Sequence, residues 1–162
     1  MAEVLVRVPT AEDNEWAKEY LRNQWGSDVM VVHGKRYITA EQPMFIALLE
    51  RMRAGIVTYQ IDAKTRSCEI LSLDSLYEGV GVGSALIQAV KVVAVEAGCK
   101  RLWLITTNDN IKALQFYQRR GFRMVKIHLD AVNESRKIKP EIPMIAENGI
   151  PLQDEIEFEM VW

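Results

Sequence analysis

The chain has only two cysteines, two histidines and five prolines among 162 residues, and its 20 basic residues are balanced by 22 acidic ones. Each shortage excludes a class. Cys68 and Cys99 lack the paired spacing of a metal site or a disulfide framework, so no metal is expected and a reduced, cytoplasmic setting is the default. A net charge of −2 provides no basic field for nucleic acid, and no zinc-finger, arginine-rich or RNP pattern occurs. No window reaches the roughly 18 apolar residues of a spanning helix, and the opening MAEVLVRVPT lacks the apolar stretch of a secretion signal. Neither nucleic acid nor a membrane is an expected partner.

What is present is 49% hydrophobic and 26% charged, the balance of one globular domain spanning residues 1–162. Its informative stretch is SLDSLYEGVGVGSALIQAVKVVAVEAG, residues 72–98, where Gly79, Gly81 and Gly83 end an apolar strand and open an apolar helix. Residues without a Cβ let backbone amides approach a ligand, and the helix adds its N-terminal N–H groups and the positive end of its dipole. Such a turn is an anion cradle. A nucleotide P-loop needs Lys and Ser/Thr directly after the last glycine, but Ser84 and Ala85 follow Gly83. A dinucleotide fingerprint needs glycine at 84 or 86, where Ser84 and Leu86 stand. A pyrophosphate site of another design is left.

Along the chain, Glu3 to Val8 alternates as a strand, and Thr10 with Asp13 forms a capping pair for a helix through about Trp25, with Trp16, Tyr20 and Leu21 as its apolar stripe. Residues 29–32 and 36–39 flank His33-Gly34-Lys35 as a small hairpin. Strands are expected at 44–49, 55–62 and 68–73, the first two joined by residues 50–54, as an antiparallel meander. The helix follows over about 84–97, with Gln88, Lys91 and Glu96 facing water and Gly98 at its end. Next comes a strand at 100–106, parallel to 68–73 by the strand–helix–strand rule, which places a ligand at their carboxyl ends. Asn110 caps a helix through Arg120, Gly121 stops it, and a strand runs over 122–130. Residues 132–153, with Pro140, Pro143 and Pro151, read as a loop holding at most a short helix, before a closing strand at 154–162.

Two segments carry a resemblance. Glu78-Gly79-Val80-Gly81-Val82-Gly83, followed by Ser84-Ala85-Leu86-Ile87, resembles the coenzyme A loop of the GNAT superfamily of N-acetyltransferases, Gln/Arg-x-x-Gly-x-Gly/Ala. Asn110 to Phe122, NIKALQFYQRRGF, resembles that family's second motif, Asn-x-x-Ala-x-x-Phe/Leu-Tyr followed by Gly-Phe. The resemblance implies an α/β (α+β) fold: a mixed, mostly antiparallel bent sheet flanked by helices. Its fourth and fifth strands, here 68–73 and 100–106, would splay into a V that holds the pantetheine arm of acetyl-coenzyme A.

It also implies roles. Acetyl transfer to an amine needs an uncharged nucleophile, a donor for the developing oxyanion and an acid for the leaving thiolate. An alkylamine with a pKa of about 10.4 is almost wholly protonated at neutral pH, so a carboxylate or water must take a proton. The resemblance points to Glu69 as base, an exposed strand-end residue being the competing reading, and to the Leu73 N–H as oxyanion donor. Leu71 and Leu73 would line the channel, and residues Glu78, Gly79, Val80, Gly81, Val82, Gly83 and Ser84 would cradle the pyrophosphate. Asn110 would touch the pantetheine and Tyr117 would protonate the thiolate. Glu78 departs from the family's Gln or Arg and sets a like charge beside the pyrophosphate, while Arg119, Arg120 and Lys126 could offset it. Neither cysteine has a histidine near it in sequence, so an acyl-enzyme is not expected.

The charge distribution adds one expectation. Residues 110–140 carry eight Lys/Arg against two acids, whereas Glu141, Glu147, Asp154, Glu155, Glu157 and Glu159 stand in the last 22 residues without a base. An acidic rim there would favour a cationic amine acceptor over an anionic one. The rival to an enzyme is a non-catalytic acetyl-coenzyme A sensor, and the chain would act as a monomer or homodimer.

Overall fold

The computed structural model describes residues 3–162; Met1 and Ala2, the start of the stretch that lacks a secretion signal, lie outside the described residues. The described residues divide into two compact units, one running to Met30 with Ile38–Leu102, the other Val31–Tyr37 with Trp103–Trp162.

In the first unit, β1 (Val4–Arg7) pairs antiparallel with β4 (Met44–Leu49), β4 with β5 (Met52–Asp62), and β5 with β6 (Ser67–Ser75). Helix α1 (Ala11–Trp25) opens with the capping box expected of Thr10 and Asp13: the Asp13 N–H donates to Thr10 Oγ1, and the Thr10 N–H to Asp13 Oδ2. Its buried stripe is Asp13, Ala17 and Leu21, with Trp16, Tyr20 and Trp25 partly buried at its border, so the expected Trp16–Tyr20 stripe is displaced by part of a turn. Ala17 and Leu21 pack on Met44, Ile46, Leu48 and Ile56. Asp13 is buried because Arg7 grips it through Nε and Nη2 at 2.9 and 3.0 Å, and Arg53 Nε donates to it at 2.8 Å.

The opposite face of β5 carries α2 (Val82–Glu96), whose Val82, Leu86, Ile87, Val90 and Ala94 are buried. Val92 and Val95 join Gln88 and Glu96 on its exposed face, so this helix is less enclosed than its apolar sequence suggests. The connection of β4 to β5 is shorter than expected. Only Glu50 and Arg51 form the turn, both with left-handed φ (52° and 68°), and β5 starts at Met52 instead of Gly55. Cys99 lies in the short link between α2 and the strand that starts at Arg101.

The second unit contains most of β7 (Arg101–Thr107), then α3 (Ile111–Arg119), β8 (Arg123–His128), α4 (Ala131–Ile138) and β9 (Glu155–Val161). Strand β9 pairs antiparallel with β8 and sets Glu155, Glu157 and Glu159 opposite His128, Lys126 and Arg123. Its core includes Phe122, Val132 and Phe158. The small hairpin of β2 (Val29–Val32) and β3 (Lys35–Ile38) turns at His33 and Gly34, both with positive φ. Within the first unit the strand order is β1-β4-β5-β6, within the second β9 lies beside β8, and the fold is a mixed, largely antiparallel α/β sheet flanked by helices.

Between α4 and β9 the chain has no long regular element, as its prolines foretell. Arg136 holds it instead: Nε donates to the carbonyl of Ile142, and Nη2 to those of Pro143 and Leu152. Asn108 binds the start of β9, accepting from the N–H groups of Gln153 and Asp154 at 3.1 and 3.0 Å.

Candidate active site

The glycine turn in the first unit has the conformation a cradle requires. Gly79 and Gly81 adopt φ of 76° and 88°, with open space where a Cβ would stand, and Val80 between them is exposed. Gly81 is the N-cap of α2 and brings no side-chain acceptor to its first turn, so the amides of Val82 and Gly83 head an N-terminus without a side-chain cap. Gly83 is buried inside the helix, while Glu78 and Ser84 are exposed beside the turn. The turn therefore has the backbone, the dipole and the access to receive an anion.

Gly55 explains how the turn is set against the sheet. A methyl group there would stand 2.6 Å from Val82 Cγ1 and 2.7 Å from the Asp74 carbonyl oxygen, so α2 approaches β5 closely only because this residue is glycine. The sequence marks Gly55 as a strand residue and nothing more.

Strand β6 supplies the central groups. Its register with β5 runs Thr58↔Ser72 and then Tyr59↔Ile70, so Leu71 is the extra residue of a bulge. Beyond it the pairing resumes with Val57↔Leu73, Ile56↔Asp74 and Gly55↔Ser75, two residues further than the strand end expected at Leu73. The Leu76 N–H donates to the Ala54 carbonyl at 2.8 Å, which marks Gly55/Ser75 as a pair without mutual hydrogen bonds. Antiparallel ladders alternate, so Val57/Leu73 is another such pair, and the Leu73 N–H points away from β5. That is the direction an oxyanion donor on this strand needs.

Glu69, opposite Gln60, is 6% exposed and so is not a solvated strand-end residue. Asp74 is the acid that sequence reasoning missed. Burial pushes its carboxyl up to about 6, and burial followed by the charge on Asp74 pushes the Tyr20 hydroxyl up to about 12. Burial likewise pushes the Cys68 thiol up to about 12 and raises that of Cys99, leaving both as poor nucleophiles at neutral pH.

In the second unit, Tyr117 is buried edge-on against Phe116 and Phe122, with ring centroids 5.1 and 5.5 Å away, and is tilted against Phe158 at 5.8 Å. Asn110 acts as the N-cap of α3: its Oδ1 accepts from the Ala113 N–H at 3.2 Å and its Nδ2 reaches Thr106 Oγ1. Arg120 lies over the Phe116 ring at 3.5 Å and donates to the Phe116 carbonyl, so it is fixed on its own helix. Of the acids in the last 22 residues, Glu155, Glu157 and Glu159 lie in the ladder with β8, where Glu157 meets His128 Nε2 at 2.9 Å, and Asp154 accepts from the Asp130 N–H. Glu141 and Glu147 are the exposed ones. Among the described residues no cluster of three or more His, Cys, Asp or Glu could hold a metal, and no helix is long and apolar enough to cross a membrane.

The bulged strand with its left-handed glycine turn, and the asparagine-capped helix bearing Tyr117, occupy the two segments that resemble the GNAT motifs. The chain belongs to the Acetyltransferase (GNAT) family, which residues 11–122 match. It is 43% identical over 154 residues to the uncharacterized protein YdhI of Bacillus subtilis (strain 168), covering 92% of this chain and 95% of that one. A Bacillus subtilis acetyltransferase solved in complex with CoA superposes with a TM-score of 0.69 at 16% identity, covering 100% of this chain and 99% of that one. A GNAT family acetyltransferase from Elizabethkingia anophelis, solved with acetyl-CoA bound, gives a TM-score of 0.66 at 22% identity and 98% coverage of both chains.

Proposed function

We propose that the protein, acting as one N-acetyltransferase domain over residues 1–162, transfers an acetyl group from acetyl-coenzyme A to a primary amine by direct attack of the amine on the thioester. The left-handed Gly79–Gly81 turn at the uncapped start of α2 carries this reading. The coenzymes bound by the two structural relatives support it.

Backbone amides from Gly79 to Ser84 bind the pyrophosphate, with Glu78 at the start of the turn, and Leu71 and Leu73 flank the pantetheine, which Asn110 also meets. The Leu73 N–H receives the negative charge that develops on the thioester oxygen. A carboxylate of β6 takes the proton, Glu69 being the one the family resemblance suggests. Tyr117 protonates the departing thiolate. The two raised thiols favour direct attack over an acyl-enzyme on either cysteine. A cationic acceptor remains the favoured class, now on the strength of Glu141 and Glu147.

The test is product formation from acetyl-coenzyme A with spermidine, tyramine, kanamycin, lysine and glutamate at low and high salt. Transfer to spermidine or kanamycin that weakens with salt is the expected result. Binding of acetyl-coenzyme A with no product from any amine would replace the enzyme by a sensor, and a preference for glutamate would remove the acidic selector.

A further inference from the structure

Within that acetyl-transfer reading, we propose that Asp74 is the group that takes the proton from the attacking nitrogen, placed for it by strand β6 and helix α1. Asp74 is the residue after Leu73, and it lies opposite Ile56, so the two side chains share a face of the sheet. Ile56 packs with Ala17 and Leu21, which makes this the α1 face. The same face carries Thr58 and Ser72, whose hydroxyls hydrogen-bond at 2.6 Å. The Asp74 carboxylate is partly buried, yet it has no hydrogen bond or ion pair among the described residues.

That condition is uncommon for a carboxylate this enclosed. The other buried aspartate of this unit, Asp13, is gripped by two arginines and an amide. From α1, Tyr20 is the ionisable group that senses Asp74, and it stacks on Trp16 at 5.1 Å. From β5 the facing residue is Ile56, and the nearest cation along that strand, Arg53, is held by Asp13 and lies over Trp16. Nothing described neutralises the Asp74 charge, and the desolvation that raises its titration point toward neutrality makes it a better base than a solvated carboxylate.

Distance separates it from Glu69. At about 3.3 Å per residue, five residues of strand set the two carboxylates roughly 16 Å apart along β6, and only Asp74 adjoins the outward N–H of Leu73. Base and oxyanion donor must serve one tetrahedral centre.

The acceptor enters as its free base and its nitrogen lone pair forms a C–N bond to the thioester carbonyl, whose electron pair moves to oxygen. The nitrogen, now cationic and acidic, gives one proton to Asp74. The oxyanion collapses, the C–S bond breaks and its pair goes to sulfur, which takes one proton from Tyr117. Solvent accepts the Asp74 proton and restores that of Tyr117, so the products are amide and free thiol.

The experiment compares wild type, Asp74→Asn, Asp74→Glu and Glu69→Gln, using acetyl-coenzyme A and the best acceptor among spermidine, tyramine and kanamycin. Calorimetry measures coenzyme affinity, and kcat/KM is followed from pH 5 to 9. Expected is unchanged acetyl-coenzyme A affinity in Asp74→Asn, a kcat lowered by about 10²-fold or more, loss of the rise in kcat/KM near pH 6, and partial recovery in Asp74→Glu. A folded Asp74→Asn with kcat within threefold and an unchanged pH profile, or loss confined to Glu69→Gln, overturns the assignment while acetyl transfer stands. Wild type that fails to bind acetyl-coenzyme A overturns both.

Discussion

Gly55 of β5 lies directly beneath Val82, the first residue of α2, with 2.6 Å between Val82 Cγ1 and the point a methyl group would occupy. Gly55→Ala must push α2 outward or bend β5, and overpacking of this kind costs about 1–3 kcal/mol. A lowered urea midpoint and weaker acetyl-coenzyme A binding are expected together. Adding Val82→Ala should restore only part of the loss, because the Asp74 carbonyl at 2.7 Å is backbone and has no rotamer to change. Full recovery in the double variant would show that side-chain crowding alone was responsible.

Gly81 presents the opposite case, since its missing Cβ faces open space and its φ of 88° is the constraint. Gly81→Val forces a β-branched residue into the left-handed region at the helix N-cap. Acetyl-coenzyme A affinity should fall tenfold or more, about 1.4 kcal/mol, as read by calorimetry on a variant whose far-UV spectrum matches wild type. Unchanged affinity would remove the turn from the coenzyme site.

Tyr117 is enclosed by Phe116, Phe122 and Phe158, so Tyr117→Phe keeps the ring among its neighbours and removes the phenolic proton. With proton transfer to sulfur limiting, kcat should drop by about 10²- to 10⁴-fold with little change in coenzyme affinity. Turnover within twofold of wild type would assign Tyr117 to packing.

Two aspartates give stability opposite pH slopes. The hydrogen bonds of Arg7, aided by the Thr10 N–H and Arg53, hold Asp13 well below the usual carboxylate range despite its burial. Its contribution is present above the unfolded value of about 3.9 and is lost as pH falls below it. Asp74, raised to about 6, works the other way: its ionised form weakens the fold above that pH, and protonation relieves it as pH falls toward 4. The thermal midpoint should therefore rise from pH 7 to about 5 and fall below about 4. In Asp74→Asn the first slope should disappear, and in Asp13→Asn the second should shrink to what Asp28 and Asp62, also held low by their partners, still contribute.

The features legible in the sequence are those that local chemistry specifies. Thr10 with Asp13, the glycines at 79 and 81, and Asn110 before its helix each declare a backbone requirement in their own residue type. The turn at Glu50–Arg51 was not legible, because neither residue type advertises the left-handed φ that pairing of Leu49 with Met52 imposes. Nor was the bulge at Leu71, which exists only in the register between two strands. Ending β6 at Leu73 left Asp74 outside the strand and out of consideration. An acid continuing the alternation of Leu71-Ser72-Leu73 was the available signal. The acids of β9 read as a rim because sequence shows their charge but not the bases of β8 opposite them.

Arg136 donates to carbonyls ten residues apart in the chain, at Ile142 and Leu152, with Pro143 between. Within the same segment the Ala146 N–H donates to the Ile150 carbonyl, the Gly149 N–H to that of Ala146 and the Leu152 N–H to that of Met144. One guanidinium bridging three carbonyls is expected to make this segment, which lacks regular structure, open as one cooperative unit. In hydrogen exchange the amides of Ala146, Gly149 and Leu152 should share one opening rate in the wild-type protein. In Arg136→Met they should quicken and part company, each then reporting only its own bond.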